Sequence, residues 1–174
     1  IGNYENTPNS VLVVDNSGSM PNPEKGISVP VLAATVISNA YLDNNAKVSV
    51  YNFGGHDFLL PFSNDKEGVH AAVRQYSGGG TQFTSQIFYS LLEGSDTEFD
   101  VSVISDMEIS NLEGFIQTVL RIPKTHRIHL IHTKGNGAWL KEQFASYQNV
   151  AVISLYRAED IPNLVMGELP KSIF

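Results

Sequence analysis

Short apolar runs rich in β-branched residues recur along the chain, and most are followed by a stretch with helical spacing. The first, Val11-Leu12-Val13-Val14, has no polar interruption and stops at Asp15. A run of this length predicts a strand buried on both faces, as in a parallel sheet. Ser28 to Asp43 reads as a helix, with Ser28 as its cap, Pro30 in its first turn, Leu32, Val36 and Ala40 on one stripe, and Asp43-Asn44-Asn45 as its stop. Lys47 to Phe53 predicts a second strand. Gly54-Gly55 and Phe58-Leu59-Leu60 predict a hairpin to a third, antiparallel strand, and Pro61 places that strand at the sheet edge.

Asn64-x-x-Glu67 opens a helix to about Tyr76. The loop Gly78-Gly79-Gly80-Thr81 follows, then a helix from about Thr84 to Glu93. Val101 to Ser105 repeats the opening pattern: apolar, β-branched and ended by an acid, Asp106. Ser110-x-x-Glu113 caps a helix that stops before Pro123, and Ile128 to His132 predicts a fifth strand. Trp139, Leu140 and Phe144 mark a helix whose aromatic residues are expected in the core. Val150 to Leu155 is a sixth strand, and Asp160 with Pro162 opens a last short helix. Strands alternating with helices predict an α/β fold with an open, mostly parallel sheet and helices on both faces. Residues 1–9 read as a loose lead-in and 10–174 as a single domain, with no internal repeat and no linker.

Composition narrows the function. With 174 residues, 42% of them hydrophobic and 17% charged, the chain suits one domain with a real core rather than a disordered one. A formal net charge of -7 and scattered Lys and Arg argue against nucleic acid as a direct ligand. The absence of cysteine excludes a disulfide scaffold, a thiolate metal site and a cysteine nucleophile. No stretch approaches the ~20 apolar residues of a membrane helix, and no basic-then-apolar leader is present. These features favour an intracellular location over a secreted one. A start at Ile1 fits a processed form or a domain cut from something larger.

In an open α/β sheet, ligands bind beyond the carboxyl ends of the strands, where strand order reverses. Asp15 and Asp106 both stand at such ends, and either alone would pass for a turn or cap residue. After Asp15 come Asn16-Ser17-Gly18-Ser19-Met20, so an acid and two hydroxyls recur at spacing two. In an extended loop they point the same way. Thr81 adds a hydroxyl from the Gly-rich loop. Two carboxylates and three hydroxyls, without His or Cys, suit a hard divalent cation: Mg²⁺ first, Mn²⁺ or Ca²⁺ as alternatives. Such an ion, balanced in charge and short of ligands, would accept a carboxylate from outside.

Asp15-x-Ser17-x-Ser19, with Thr81 after Gly79-Gly80 and Asp106 at the end of the fourth strand, resembles the metal-ion-dependent adhesion site of von Willebrand factor A-type domains. The resemblance runs from Val11 to about Leu169. It implies a Rossmann-like three-layer sandwich whose six-stranded sheet has one antiparallel edge strand. It implies a metal held by Asp15, Ser17, Ser19, Thr81 and Asp106, with Asp15 as the strongest ligand. It also implies a protein partner that supplies a Glu or Asp, and a role that is not enzymatic. In the intracellular branch such domains work beside ring-shaped ATPases or in RNA-protein particles. Met20, Gln82, Met107 and Glu108 are expected on the partner-binding rim, although a solvated loop is the plainer reading of Glu108 and Asn111.

Other readings fit less well. The place after the first strand lacks the glycines of a dinucleotide site, and Gly80 is not followed by Lys. No Gly-x-Ser-x-Gly string marks a serine hydrolase. A Mg²⁺-dependent hydrolase of phosphate esters using Asp15 and Asp106 is the enzymatic alternative. His126, His129 and His132 alternate faces on a strand, so they read as core or rim residues, with His132 expected on the rim of the metal face.

Overall fold

The computed structural model describes residues 7–93, 98–135 and 137–168. Positions 1–6 of the expected lead-in and 169–174 of the expected domain lie outside these described residues. Six strands form one sheet in the order β3-β2-β1-β4-β5-β6. They are β1 (Asn9–Asp15), β2 (Val48–Phe53), β3 (Phe58–Ser63), β4 (Phe99–Ser105), β5 (Arg127–His132) and β6 (Val150–Ser154). Among the described strands only the β2–β3 pair is antiparallel, and β3 is an edge strand, as Pro61 predicts. The helices are α1 (Val29–Leu42), α2 (Lys66–Val73), α3 (Ser85–Leu92), α4 (Leu112–Leu120), α5 (Gly137–Gln143) and the short α6 (Ile161–Asn163).

The unbroken apolar run of β1 does what two-faced burial demands. Val11 and Val13 enter one core cluster, and Leu12 and Val14 enter the other. The first cluster lies under α3, α4 and α5 and is knit by rings. Phe83 meets Phe115 edge-on at 5.0 Å and Phe53 at 5.5 Å between centroids, geometries that add to plain burial. The second cluster joins the sheet to Ala33, Ala34 and Ile37 of α1, Val69 of α2, and Ile161 and Leu164 beyond β6.

Several expectations need correction. β1 starts at Asn9, inside the expected lead-in, and Asn9 Oδ1 accepts a hydrogen bond from the Lys47 amide at 2.8 Å. Ser28 does cap α1, accepting from the Val31 amide at 3.3 Å. The stripe Leu32, Val36 and Ala40, however, is not the buried one. Leu32 is exposed, and Ala33, Ala34, Ile37, Ser38 and Tyr41 face inward. The buried face is turned by about one residue, ~100° of helix. Small residues let α1 lie close over the sheet, and Tyr41 reaches a buried acid on β4. The α2 helix ends at Val73, short of Tyr76. The cap position of α4 is Asn111, not Ser110. Of the two aromatic residues expected in the core near α5, Phe144 is buried but Trp139 is 41% exposed.

The buried acid is Asp100, whose Oδ2 accepts from Tyr41 Oη at 2.7 Å. Burial raises both groups above their ordinary titration ranges, and for Asp100 the Tyr41 hydrogen bond and nearby Arg127 pull the other way. Removing the phenolic hydroxyl leaves the carboxylate without this donor. Tyr41→Phe should cost about 1–3 kcal/mol. The hydroxyl favours the ionised acid, so the loss should be largest at neutral pH and shrink as pH falls through the raised Asp100 value. Urea denaturation of both proteins across pH checks this.

Candidate metal centre

The reversal of strand order falls between β1 and β4, which run on either side of the sheet's midline. Their parallel register pairs Val14 with Ile104. The next residues, Asp15 and Ser105, therefore stand side by side, and Asp106 begins the loop beyond. Asp15 is buried, and both of its oxygens are engaged. Oδ1 accepts from the Ser17 amide at 3.0 Å and the Ser17 hydroxyl at 2.6 Å. Oδ2 accepts from the Ser105 hydroxyl at 2.6 Å, and Ser105 Oγ in turn accepts from the Met107 amide at 2.9 Å. Because the Ser17 proton goes to Asp15, its 3.3 Å contact with Ser19 Oγ makes Ser19 the donor there.

Asp106 is treated differently. Its Oδ1 accepts from the Glu108 amide at 3.0 Å. Its Oδ2 is buried and has no hydrogen-bond partner; the ammonium of Lys134 stands 3.9 Å away. A buried oxygen left in this way is costly in a folded protein. Burial holds the Asp15 carboxyl above the usual carboxylate range. The hydrogen bonds from Ser105 and Ser17 lower it, and the nearby Asp106 charge raises it further. Two acids of like charge thus share one poorly solvated corner.

Three loops converge there. Asn16, the residue between the acid and the first hydroxyl, is a clamp that its sequence position does not advertise. Its Nδ2 donates to the Gln75 carbonyl at 3.0 Å, its Oδ1 accepts from Ser77 Oγ at 3.0 Å, and its carbonyl accepts from the Gly78 amide at 3.0 Å. The Gly18 amide donates to the Gly79 carbonyl at 3.0 Å, with Gly79 at φ +72°. A Cβ on Gly54 would collide with Asn16 Oδ1, so that turn admits no larger residue without a shift. On the other side, the Ser110 amide donates to the Thr81 carbonyl at 2.8 Å. Asn111 gives Nδ2 to the Phe83 carbonyl at 2.9 Å and takes the Phe83 amide on Oδ1 at 3.1 Å. The Thr81 segment is therefore tied to both acid-bearing loops.

Ser17 is buried, Thr81 half-buried and Ser19 exposed, a gradient from the sheet toward solvent. The expected rim divides. Gln82 and Glu108 are exposed, but Met20 and Met107 are buried. Met107 joins the first core cluster with a left-handed backbone at φ 62°, and the Met20 carbonyl accepts from Tyr76 Oη at 3.2 Å. Burial takes both methionine side chains off the rim. His132 is also buried rather than on the rim. Its Nδ1 donates to the Lys134 carbonyl at 2.8 Å and its Nε2 lies 3.0 Å from Ser154 Oγ. His126 stacks on Phe99, and His129 is buried with its ring held down to about 4 by burial and Arg127. The three histidines do not share a site. Among the described residues, no three or more His, Cys, Asp or Glu gather into a metal-holding group. The present donor set contains only two carboxylates, so it does not depend on one.

No family model and no curated protein matches the sequence. Solved structures do match. An aerotolerance-related membrane protein from Bacteroides fragilis aligns at a TM-score of 0.62 and 14% identity, covering 95% of this chain and 100% of that one. Manganese-loaded TRAP protein from Plasmodium vivax aligns at 0.64 and 14%, covering 91% and 73%. The pilus adhesin SpaC from Lactobacillus rhamnosus GG aligns at 0.63 and 11%, covering 97% and 30%. The chain has the von Willebrand factor A-type fold. Within this von Willebrand factor A-type sheet, Asp15 and Asp106 occupy the carboxyl-end crevice at the switch in strand order. Among the described residues, no helix is long and apolar enough to cross a membrane.

The burden on Asp15 has a measurable sign. Because burial raises its folded-state titration, the folded protein holds that proton more tightly than the unfolded chain. Stability contributed by the protonated form is lost as pH rises through the raised value. The thermal midpoint of chelator-treated wild type should therefore fall as pH rises through that value. Asp15→Asn, which has no proton to lose there, should flatten this slope, each kcal/mol being about 2–4 °C in a chain of this size. Scanning calorimetry in a chelating buffer measures this directly.

Proposed function

We propose that this von Willebrand factor A-type domain is a metal-dependent protein-interaction module. In this reading one divalent cation is held by Asp15, Ser17, Ser19, Thr81 and Asp106, and an acidic residue of a protein partner completes its shell. The observation that carries the reading is the buried, unpartnered Oδ2 of Asp106 close to buried Asp15, whose own loop carries the hydroxyls of Ser17 and Ser19. Ser17 spends its proton on Asp15, so only oxygen lone pairs remain for anything else. The hydrogen bonding also redistributes roles. Asp15 already serves three donors and orients Ser17, so the weight of direct ligation moves to Asp106.

Oxygen donors alone favour Mg²⁺, with Mn²⁺ or Ca²⁺ as alternatives. Bound there, the cation supplies Lewis acidity toward an incoming carboxylate. Neutral hydroxyls offset none of its charge, which leaves it attractive to an acidic side chain. The manganese-loaded state of one structural neighbour and the adhesin role in another's name accord with this reading. A phosphate-ester hydrolase is the weaker alternative, because both oxygens of Asp15 accept hydrogen bonds that a nucleophile or base would have to give up.

Calorimetric titration of Mg²⁺, Mn²⁺ and Ca²⁺ into chelator-treated protein tests the proposal. One-site binding is expected, weakened at least ~10-fold in Asp106→Ala and in Ser17→Ala with circular dichroism unchanged, as loss of about 1.4 kcal/mol or more implies. Absence of saturable binding of any of the three ions would overturn it.

A further inference from the structure

Lys134 follows β5 by two residues, on a strand that contributes none of the proposed ligands, and its ammonium faces the acids of the β4–α4 loop. Its Nζ lies 3.4 Å from Glu108 Oε1 and 3.9 Å from the buried Asp106 Oδ2. The backbone that presents it is fastened on two sides. The Thr133 amide donates to the Ser105 carbonyl at 3.1 Å, and the Lys134 carbonyl accepts from buried His132 at 2.8 Å. Gly137, at the start of α5, leaves the His132 ring its room, since a Cβ there would collide with Nε2. The lysine backbone is therefore held next to the site by the core, while the long side chain is 54% exposed and carries its ammonium to the acids.

We propose that Lys134 is a tethered cation that competes with the divalent ion for Asp106, so that this lysine sets the affinity of the centre. The inference rests on the metal-binding reading above and adds a determinant to it. Asp106 Oδ2 has no hydrogen-bond partner, and the Lys134 ammonium is the cation placed against it. A divalent ion at that oxygen would meet the ammonium at close range, and like charges so placed repel. Glu108 offers the displaced ammonium a place to go: it is exposed, already the nearer of the two acids, and not among the proposed ligands. Binding would then exchange one counter-charge for another rather than fill a site of bare carboxylates.

The test is calorimetric titration of Mn²⁺ and Mg²⁺ into chelator-treated wild type, Lys134→Gln and Lys66→Gln. Lys66 pairs with Asp43 just beyond the far end of α1, so its loss changes net charge equally but remotely. Lys134→Gln should bind about two- to five-fold more tightly, the range of one exposed charge pair, while Lys66→Gln stays near wild type. In parallel, the ¹³Cε signal of Lys134, assigned by its loss in Lys134→Gln, should shift on addition of Mg²⁺. Equal affinity in wild type and Lys134→Gln, or equal gains in both variants, would overturn the inference and leave the metal site standing. No binding by any of the three proteins would overturn the metal-binding reading itself, and the inference with it.

Discussion

The structure turns on one buried carboxylate. Asp15 sits where two central parallel strands end, and a charge removed from water there must be met by donors or it will not stay ionised. Ser17 and Ser105 meet it, one from its own loop and one from the neighbouring strand. That arrangement staples β1 to β4 at the point where the order of the sheet reverses. It also fixes the hydroxyl of Ser17 in a single sense. What remains unbalanced is charge: Asp106 adds a second acid to the same corner, with one buried oxygen lacking a hydrogen-bond donor.

The rest of the fold makes that corner rigid enough to matter. A sheet buried on both faces gives the strand ends little freedom, and the ring cluster around Phe83 anchors the segment directly after Thr81. Loops are ordinarily the mobile part of such a fold. Here they are sewn to one another by Asn16 and Asn111, each using its amide in both senses, and by glycine backbones at contact distance. Positioned hydroxyls cost less to recruit than free ones, because their ordering is done during folding.

Much of this was legible in the sequence, for a reason visible in β1 and β4. An apolar run cut off by an acid marks both a buried strand and its exit, so the sequence alone places Asp15 and Asp106 at one face. The edge strand was legible from Pro61. The buried face of α1 was not, because its inward residues are small or polar: Ala33, Ala34, Ser38 and Tyr41 carry little hydropathy signal, and Tyr41 is inward to satisfy Asp100. Met20 and Met107 looked like rim residues because they flank the motif. Their burial depends on how the loops fold back, and Met107 needs a left-handed backbone that no local pattern announces. Asn16 and Asn111 read as ordinary turn residues. Lys134 carries no motif, and its relation to Asp106 arises only from the pairing of β4 with β5.

Charge counting links the local geometry to the proposed role. Asp15 and Asp106 together carry two negative charges when ionised, and an ammonium can answer only one of them. A divalent cation would answer both, and neutral hydroxyls would add no further negative charge to repel an outside carboxylate at its open position. A third acid among the ligands would have held the ion more tightly and left less for a partner. In the proposed centre, serine and threonine at those positions would therefore give up intrinsic affinity in exchange for attraction toward an outside carboxylate. Lys134, held by its backbone and facing both Asp106 and Glu108 with its ammonium, belongs to the same balance of charge: in the proposed centre it would shield the acids and weaken any ion that displaced it.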